Sequence, residues 1–186
     1  MIHDFKQKLE YSLGAQQQFD MEIIKNLFGY KSIQKTDIEL ERKGIDYIAY
    51  TDNEVPIYID GKTREPGASK YWHYGEPELA LETWSSIPDE NKWYFGNPGW
   101  TLREDYLTHY VLYTFDKSDS DKFYFIPFQL LKNALKKKRE LWTKTYKLKY
   151  QPNVGYISEA IFIPASVVLK EINKQMTGNE LYQQQE

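Results

Sequence analysis

The spacing of apolar residues predicts a helix near the N-terminus. Residues 14–28 read GAQQQFDMEIIKNLF, and Phe19, Ile23 and Leu27 recur there at every fourth position. That spacing places the three side chains on one face of a helix. Glu22 lies at the flank of this apolar stripe, where it is neither deep in a core nor opposite it.

Three strands are predicted after this helix. They cover about 33–41, which is polar and therefore expected near a sheet edge, then 44–51 and 55–64. The link between the last two, TDNEVP, is short and rich in turn-forming residues. The sequence therefore predicts that strands 44–51 and 55–64 form an antiparallel hairpin.

The remaining pattern mixes strands and helices. It predicts, in order, a strand at 77–86, a turn at 97–100, a helix or turn leading into a strand at 110–115, a strand at 122–128, a helix with a basic end at 128–141, a strand ending near Pro164, a helix from about Ser166, and a frayed tail at 178–186. This order predicts an α/β or α+β fold, with a mixed sheet covered by helices in one domain spanning residues 1–186.

Composition narrows the class of protein. The 186 residues include 16 Tyr, 9 Phe and 5 Trp, which favours a folded domain that contains β-structure. The formal net charge is −3, so nucleic acid would have to bind a local basic patch rather than the whole surface. The absence of Cys excludes a disulfide scaffold, a thiolate zinc site and a Cys nucleophile.

Two further patterns bear on location. The first residues, MIHDFKQKLEY, are polar and mixed in charge, unlike a signal peptide. No apolar run approaches the roughly 20 residues that a membrane span needs. We therefore expect a soluble, cytoplasmic protein without a membrane partner.

The strand at 55–64 ends in a group of charged residues with a chemical interpretation. Asp60 and Lys62 share a face because side chains alternate along a strand. Across the predicted hairpin, Asp46 can approach Asp60, given the right register. Two carboxylates at that distance repel each other unless a divalent cation lies between them, and oxygen ligands suit Mg²⁺ or Mn²⁺. A neighbouring lysine can orient a water and stabilise charge on a phosphate, so the set suits phosphodiester hydrolysis.

These residues carry a family resemblance. GID at 44–46, followed fourteen residues later by DGK at 60–62, resembles the PD-(D/E)XK nuclease superfamily of restriction-endonuclease-like fold. Upstream, Gly14, Glu22 and the pair at 29–30 are similar to the glycine, acid and glycine–aromatic turn of resolvase-like and exonuclease-like members. Ile45 replaces the Pro of the superfamily's name.

The resemblance covers the motif region 14–64 and implies a fold, an activity and a set of roles. It implies a restriction-endonuclease-like mixed sheet and a Mg²⁺- or Mn²⁺-dependent deoxyribonuclease. Asp46 and Asp60 would hold the metal, and Lys62 would position the attacking water. Gly61 stands where a bulkier apolar residue is usual, and a β-bulge there would change the direction of Lys62.

A vaguer similarity adds one acid. LETWSS, PGW and the Asp-Tyr pair at 105–106 look like a group of small phage and bacterial nuclease-like proteins. In that group an acid on the strand after the D-x-K strand joins the site. The similarity therefore implies that Glu82 joins the metal shell, which Glu22, the acid of the upstream helix, would complete. The resemblance also implies a location in the cytosol of a bacterium or phage-infected host.

The basic region at 128–150 predicts a surface for nucleic acid, with DNA favoured. Its bases alternate with Trp142, Tyr146 and Tyr150, and positive charge combined with stacking rings is typical of single-strand binding. The residues expected to contact nucleic acid are Lys136, Lys137, Lys138, Arg139 and Lys144. The alternative is a solvated helix face, the common fate of a charge run.

Other interpretations stay open. Residues 60–62 could form a solvated strand end, and Glu22 could be an ordinary exposed helix residue. The whole protein could be a non-catalytic nucleic-acid-binding module on the same fold, or an accessory interaction protein in which these charges form a structural ion-pair network. A homo-oligomer is also compatible with the sequence.

Overall fold

The computed structural model describes residues 15–64, 67–88, 95–116 and 119–177. The chain forms two compact units, a first unit of Met1–Lys70 with Glu104–Phe128 and a second unit of Tyr71–Arg103 with Gln129–Glu186. Each unit contains a β-sheet and helices, which confirms the α+β class. The prediction of one domain over residues 1–186 stays a prediction.

The described helices and strands follow one another along the chain as α1 (Ala15–Phe28), β1 (Ser32–Lys35), α2 (Ile38–Glu41), β2 (Tyr47–Tyr50), β3 (Pro56–Arg64), β4 (Glu78–Ser86), β5 (Asn97–Pro98), β6 (Tyr110–Phe115), β7 (Tyr124–Pro127), α3 (Phe128–Thr145), β8 (Lys147–Pro152), β9 (Ile157–Pro164) and α4 (Ala165–Thr177). Short 3₁₀ helices cover Ala68–Tyr71 and Trp100–Leu102. No described helix has both the length and the apolar content needed to cross a membrane.

The sheet of the first unit has five strands in the order β1-β2-β3-β6-β7. β2 pairs antiparallel with both β1 and β3, which confirms the predicted hairpin. β3 pairs in parallel with β6, and β6 pairs antiparallel with β7. The sheet is therefore mixed, as the sequence predicts, and β3 lies at its centre.

Helix α1 packs its apolar face into the core of the first unit. Ile23 is buried, as the predicted stripe requires, and the next residue, Ile24, is buried completely. The side chains of Phe19 and Leu27 lie outside the described part of the structure. The buried residues that pack together in this core are Ile23, Ile24, Tyr47, Ala49, Ile59 and Leu112.

Two predicted strand boundaries are wrong. The strand predicted at 33–41 ends at Lys35, because Asp37 caps a helix instead: its carboxylate accepts hydrogen bonds from the backbone N–H groups of Glu39 and Leu40 at 3.1 and 3.0 Å. The strand predicted to begin at residue 44 begins at Tyr47.

The sheet of the second unit has four strands in the order β5-β4-β9-β8. β4 and β9 pair antiparallel at its centre, close to the predicted bounds. Edge strand β8 was not predicted, because most of its residues are exposed and Lys147 and Lys149 obscure the alternation of apolar and polar positions. The turn predicted at 97–100 is wrong in type: Asn97 and Pro98 pair with β4, and a 3₁₀ helix begins at Trp100.

Helices α3 and α4 confirm the helices predicted from about 128 and 166. Both bury an apolar stripe, which includes Leu131, Leu135 and Trp142 on α3 and Val168 and Ile172 on α4. The tail predicted at 178–186 lies outside the described residues.

Candidate active site

The register of the β2–β3 hairpin brings Asp46 and Asp60 together. Tyr47, the first residue of β2, pairs with Ile59 of β3, and the N–H of Asp46 donates to the carbonyl of Ile59 at 2.9 Å. Asp46, the residue before β2, therefore lies directly opposite Asp60. The Asp46 carboxylate then turns towards β3, where Oδ2 accepts the Gly61 N–H at 2.8 Å. The predicted convergence of the two carboxylates is therefore present.

Lys62 points to the same side of the sheet as Asp60. Its Nζ lies 2.6 Å from Asp60 Oδ1. The β3–β6 register is unbroken from Ile59 to Arg64, so there is no bulge at Gly61 in this pairing. The alternation along β3 therefore continues through Gly61, and Lys62 contacts the carboxylate rather than turning away.

Burial and charge oppose each other at Asp60. Only 1% of the residue is exposed, so it is not part of a solvated strand end. Burial raises its pKa, the Lys62 ammonium lowers it and Asp46 raises it again, giving about 7. Oδ1 accepts from Lys62, whereas Oδ2 is buried without a hydrogen-bond partner among the described residues. Asp60 therefore has one carboxylate oxygen with unused capacity to accept a donor or bind a cation.

Lys62 stays charged in this environment. Burial disfavours its ammonium form, but the carboxylates of Asp60 and Asp46 outweigh burial and raise the pKa of Lys62 above its ordinary value. Its side chain is still 28% exposed, and that of Asp46 is 22% exposed. A ligand could thus reach Lys62 and Asp46 from solvent, with Asp60 lying beneath them.

Helix α1 contributes a carboxylate that the sequence analysis missed. Asp20 is 3% exposed, and its Oδ2 accepts the hydroxyl of Tyr47 at 3.1 Å. Its Oδ1 accepts the hydroxyl of Thr114 on β6 at 3.3 Å. A helical wheel could have found it, because Asp20 lies three and four positions before the buried Ile23 and Ile24.

Gly61 leaves space between two of these acids. A Cβ on Gly61 would stand 3.5 Å from Asp20 Oδ2 and 3.5 Å from Asp46 Oδ2, and 3.1 Å from the ring of Tyr47. An Ala there would make ordinary contacts with both carboxylates but would crowd the Tyr47 ring. The glycine that departs from the superfamily pattern therefore leaves room for the Tyr47 ring, with the helix acid and the hairpin acid both close to β3.

A second lysine flanks the site. Lys35 on β1 lies 3.7 Å from Asp46 Oδ1 and 2.6 Å from Glu41 Oε1, and its Nζ is 5.3 Å from the centre of the Tyr47 ring. Lys35 carries no signal in the sequence, because only the pairing of β1 with β2 places it beside Asp46. Asp46 is thus positioned between a backbone N–H and an ammonium group.

Glu22 and Glu82 differ from the other predicted ligands. Glu22 is exposed on α1, as its alternative interpretation expects, whereas Asp20 two positions earlier is buried. Glu82 lies on β4 in the second unit, where its Oε2 accepts from the Ser85 hydroxyl and the Trp100 N–H, both at 3.1 Å. Its need for a partner, on which the sequence argument depended, is met within that unit, and its role as a ligand stays a prediction.

The carboxylates of Asp46 and Asp60 can supply part of the ligand shell of a divalent cation. Within the described ranges, no three Asp, Glu, His or Cys side chains are grouped as a metal site. However, Mg²⁺ commonly binds only one or two protein carboxylates and keeps several waters. Asp46 and Asp60 supply that number, and the buried Oδ2 of Asp60 lacks another partner. The residues therefore fit a metal held by two carboxylates and completed by water and substrate oxygens.

The predicted nucleic-acid-binding residues lie on α3 in the second unit. Lys136 and Lys137 are exposed, Lys144 pairs with Glu140 at 2.6 Å, and Arg139 lies 5.8 Å from the ring of Trp84. Lys138 lies 3.9 Å from Glu171 of α4.

Of the three interleaved rings, only one is well exposed. Tyr150 is exposed and Tyr146 is half-buried, whereas Trp142 is buried in the core and offers no face for stacking. Lys132, at the start of the basic run, is also buried, and its Nζ donates to the carbonyl of Arg103 at 2.8 Å. The basic surface is therefore smaller than the sequence suggests.

No protein-family model matches this chain, and no curated protein or solved structure matches it either.

Proposed function

We propose that this protein is a metal-dependent nuclease that hydrolyses phosphodiester bonds of DNA, with its active site in the first unit. The observation that supports the proposal most is the convergence of Asp46, Asp60 and Lys62 at the centre of a mixed sheet. The buried, unpartnered Oδ2 of Asp60 adds to it, because a carboxylate oxygen in that state needs a cation or a donor. The resemblance of residues 14–64 to PD-(D/E)XK nucleases makes DNA the first substrate to test.

In this proposal the two carboxylates and the lysine have separate roles. Asp46 and Asp60 hold Mg²⁺ or Mn²⁺, which when bound polarises the scissile phosphate and lowers the pKa of a water. Lys62, fixed against Asp60 Oδ1, donates to a phosphate oxygen and stabilises the charge that develops there. Water adds to phosphorus, the P–O ester bond breaks, and the leaving oxygen takes up a proton.

Residues around the site position these groups. The Gly61 N–H and Lys35 orient the Asp46 carboxylate, so that it does not turn away from β3. Asp20 also lies beside Gly61 and is held by the hydroxyls of Tyr47 and Thr114. We assign Asp20 a positioning role, because it accepts the hydroxyl of Tyr47, whose ring packs beside Gly61.

The test is cleavage of single-stranded, duplex and branched DNA, with matching RNA, in Mg²⁺, Mn²⁺ or EDTA. We expect metal-dependent cleavage of at least one DNA form. Lys62→Ala should slow it by about 10²- to 10³-fold, which is the usual effect of removing one donor to a developing oxyanion. Asp60→Asn and Asp46→Asn should abolish the metal-dependent cleavage, and both variants should bind metal more weakly when measured by titration calorimetry.

Lys31→Ala is the matched control, because Lys31 is an exposed lysine of the same unit that pairs with Glu54 and not with the site. It should cleave at the wild-type rate. Unchanged cleavage in Lys62→Ala would remove Lys62 from its role. No cleavage of any nucleic acid, with intact fold and metal binding, would contradict the nuclease proposal.

One observation favours the ion-pair alternative as a second candidate. Lys62 Nζ pairs with Asp60 Oδ1 at 2.6 Å, and this pair could serve only to hold β3. In that case Lys62→Ala would lower the unfolding midpoint while Mg²⁺ and Mn²⁺ leave the melting temperature unchanged. A rise in melting temperature with metal, lost in Asp60→Asn, would contradict it.

A further inference from the structure

A groove of about 300 Å³ lies between α3 and α4 within the second unit. Its lining includes three lysines, Lys138, Lys170 and Lys174, together with the carboxylate of Glu171. None of these residues belongs to the candidate active site. The volume is at the lower end of the range for small-ligand pockets, which suits one small group rather than a whole protein segment.

Glu171 is unusual within this groove. Its side chain is only 7% exposed, and its Oε1 has no hydrogen-bond partner among the described residues. Lys138 lies 3.9 Å from Oε1 and Lys174 lies 3.9 Å from Oε2, distances that allow charge attraction but exceed a hydrogen bond. Because a buried carboxylate without donors is costly, Glu171 has capacity for an N–H donor supplied from the groove.

The rest of the lining is aromatic and aliphatic. Tyr146, which follows α3, is half-buried and presents part of its ring, and Leu141 is 57% exposed, whereas Trp142 lines the groove from the core. Lys170 is exposed on α4 and has no ion pair to compete for its ammonium group in the described part of the chain. The groove thus combines ring-packing surface, an acceptor that lacks a donor, and ammonium groups.

We propose that this groove binds one nucleotide of single-stranded DNA and prefers a base that carries an exocyclic amino group. The ring packs against Tyr146 and Leu141, the amino group donates to Glu171, and a phosphate contacts Lys170 and its neighbouring lysines. Cytosine is the first candidate, because carboxylates accept well from its N4 amino group, whereas thymine has no amino group to donate. This inference rests on the proposed function, since it takes nucleic acid as the substrate.

The test is fluorescence anisotropy of labelled cytidine and thymidine homo-oligonucleotides of equal length, in EDTA so that no cleavage occurs. We expect the wild type to bind the cytidine strand about tenfold to a hundredfold more tightly, the effect of one hydrogen bond to a charged acceptor. Glu171→Leu should abolish that preference while keeping affinity for the thymidine strand. Lys170→Ala should weaken both strands equally and reduce the slope of log K against log salt by about one.

Lys122→Ala is the charge-matched control, because Lys122 is an exposed lysine in the first unit. Equal affinity of the wild type for the two strands, or a preference unchanged in Glu171→Leu, would overturn the proposal. So would a Lys170→Ala variant that behaves like the control, or a groove that binds an acidic peptide and not the oligonucleotides. Thermal melting of each variant shows whether a loss of binding comes from unfolding.

The outcomes separate this inference from the nuclease proposal. Metal-dependent cleavage without base preference would overturn the groove assignment alone. Base preference that depends on Glu171, without cleavage under any condition, would overturn the nuclease assignment alone and support a nucleic-acid-binding module.

Discussion

At the scale of single residues, burial disfavours the ionised form of the Asp60 carboxylate. Burial raises its pKa from 3.8 to about 7 even though Lys62 opposes the rise. Between these two values the folded protein binds more protons than the unfolded chain, so the contribution of Asp60 to stability falls as pH rises. The pH dependence of Lys62 has the same sign in a higher pH range: its raised pKa contributes stability below its ordinary value of 10.5, and this is lost only in strong alkali.

The raised pKa of Asp60 predicts a pH-dependent difference in stability between the wild type and Asp60→Asn, which cannot ionise at this position. In metal-free buffer, the free energy of unfolding of the wild type relative to the variant should fall by about 2–4 kcal/mol from pH 4 to pH 7. Urea unfolding at a series of pH values measures it, with the exposed Asp52→Asn as the baseline. A difference that does not change with pH, or that rises, would show that Asp60 ionises normally.

At the scale of elements, α1 and the first sheet are joined by a polar contact inside an apolar interface. Asp20 reaches Tyr47 on β2 and Thr114 on β6, so one carboxylate contacts two strands that flank β3. Burial, together with the negative charge of Asp20 and the hydrogen bond to it, raises the pKa of the Tyr47 hydroxyl above its ordinary range. Hydrophobic periodicity predicts that α1 packs on the sheet, but this contact also fixes which turn of the helix lies over Gly61.

Tyr47→Phe tests that contact. It removes a buried donor and leaves an oxygen of Asp20 less satisfied, so we expect a loss of about 1–3 kcal/mol in the free energy of unfolding. Tyr50→Phe on the same strand is the matched control: its hydroxyl accepts from Gln34 at an exposed position, and its loss should cost under about 0.5 kcal/mol. Equal costs for the two variants would mean that the Asp20–Tyr47 hydrogen bond adds no stability beyond a surface contact.

At the scale of the whole molecule, the first unit is assembled from two separate parts of the chain. β3 obtains its parallel partner β6 only after the chain has passed through β4 and β5 of the second unit. The strand that carries Asp60 and Lys62 is therefore central because of a distant segment. A sheet completed in this way depends on contacts of long sequence separation, which form late and cost loop-closure entropy.

A fragment of residues 1–103 should therefore fail to fold, because β3 would lose its pairing with β6 along Ile59–Arg64. Its ¹H–¹⁵N spectrum should show narrow amide dispersion. A fragment of residues 1–128 keeps all five strands of the first sheet and should recover dispersed signals. Native-like dispersion in the shorter fragment would contradict the assigned dependence on β6.

The sequence by itself determined the features that depend on local periodicity. Alternation along β3 places Asp60 and Lys62 on one face, the short turn before it predicts the hairpin with β2, and the apolar stripe predicts α1. Each follows from backbone geometry repeated over neighbouring residues. The sequence also predicts that Asp46 can approach Asp60 across this hairpin, but it does not determine the register that brings them together.

Only the tertiary structure decided the rest of the site and of the fold. It selected Asp20 rather than Glu22 as the buried helix acid, showed that Gly61 makes room beside it, and supplied β6 as the parallel partner of β3. It also gave Glu82 its own partners and removed Trp142 from the surface. The local spacing of residues predicts which face of a helix or strand is apolar. The residues that this face packs against lie far away in the sequence, so only the tertiary structure identifies them.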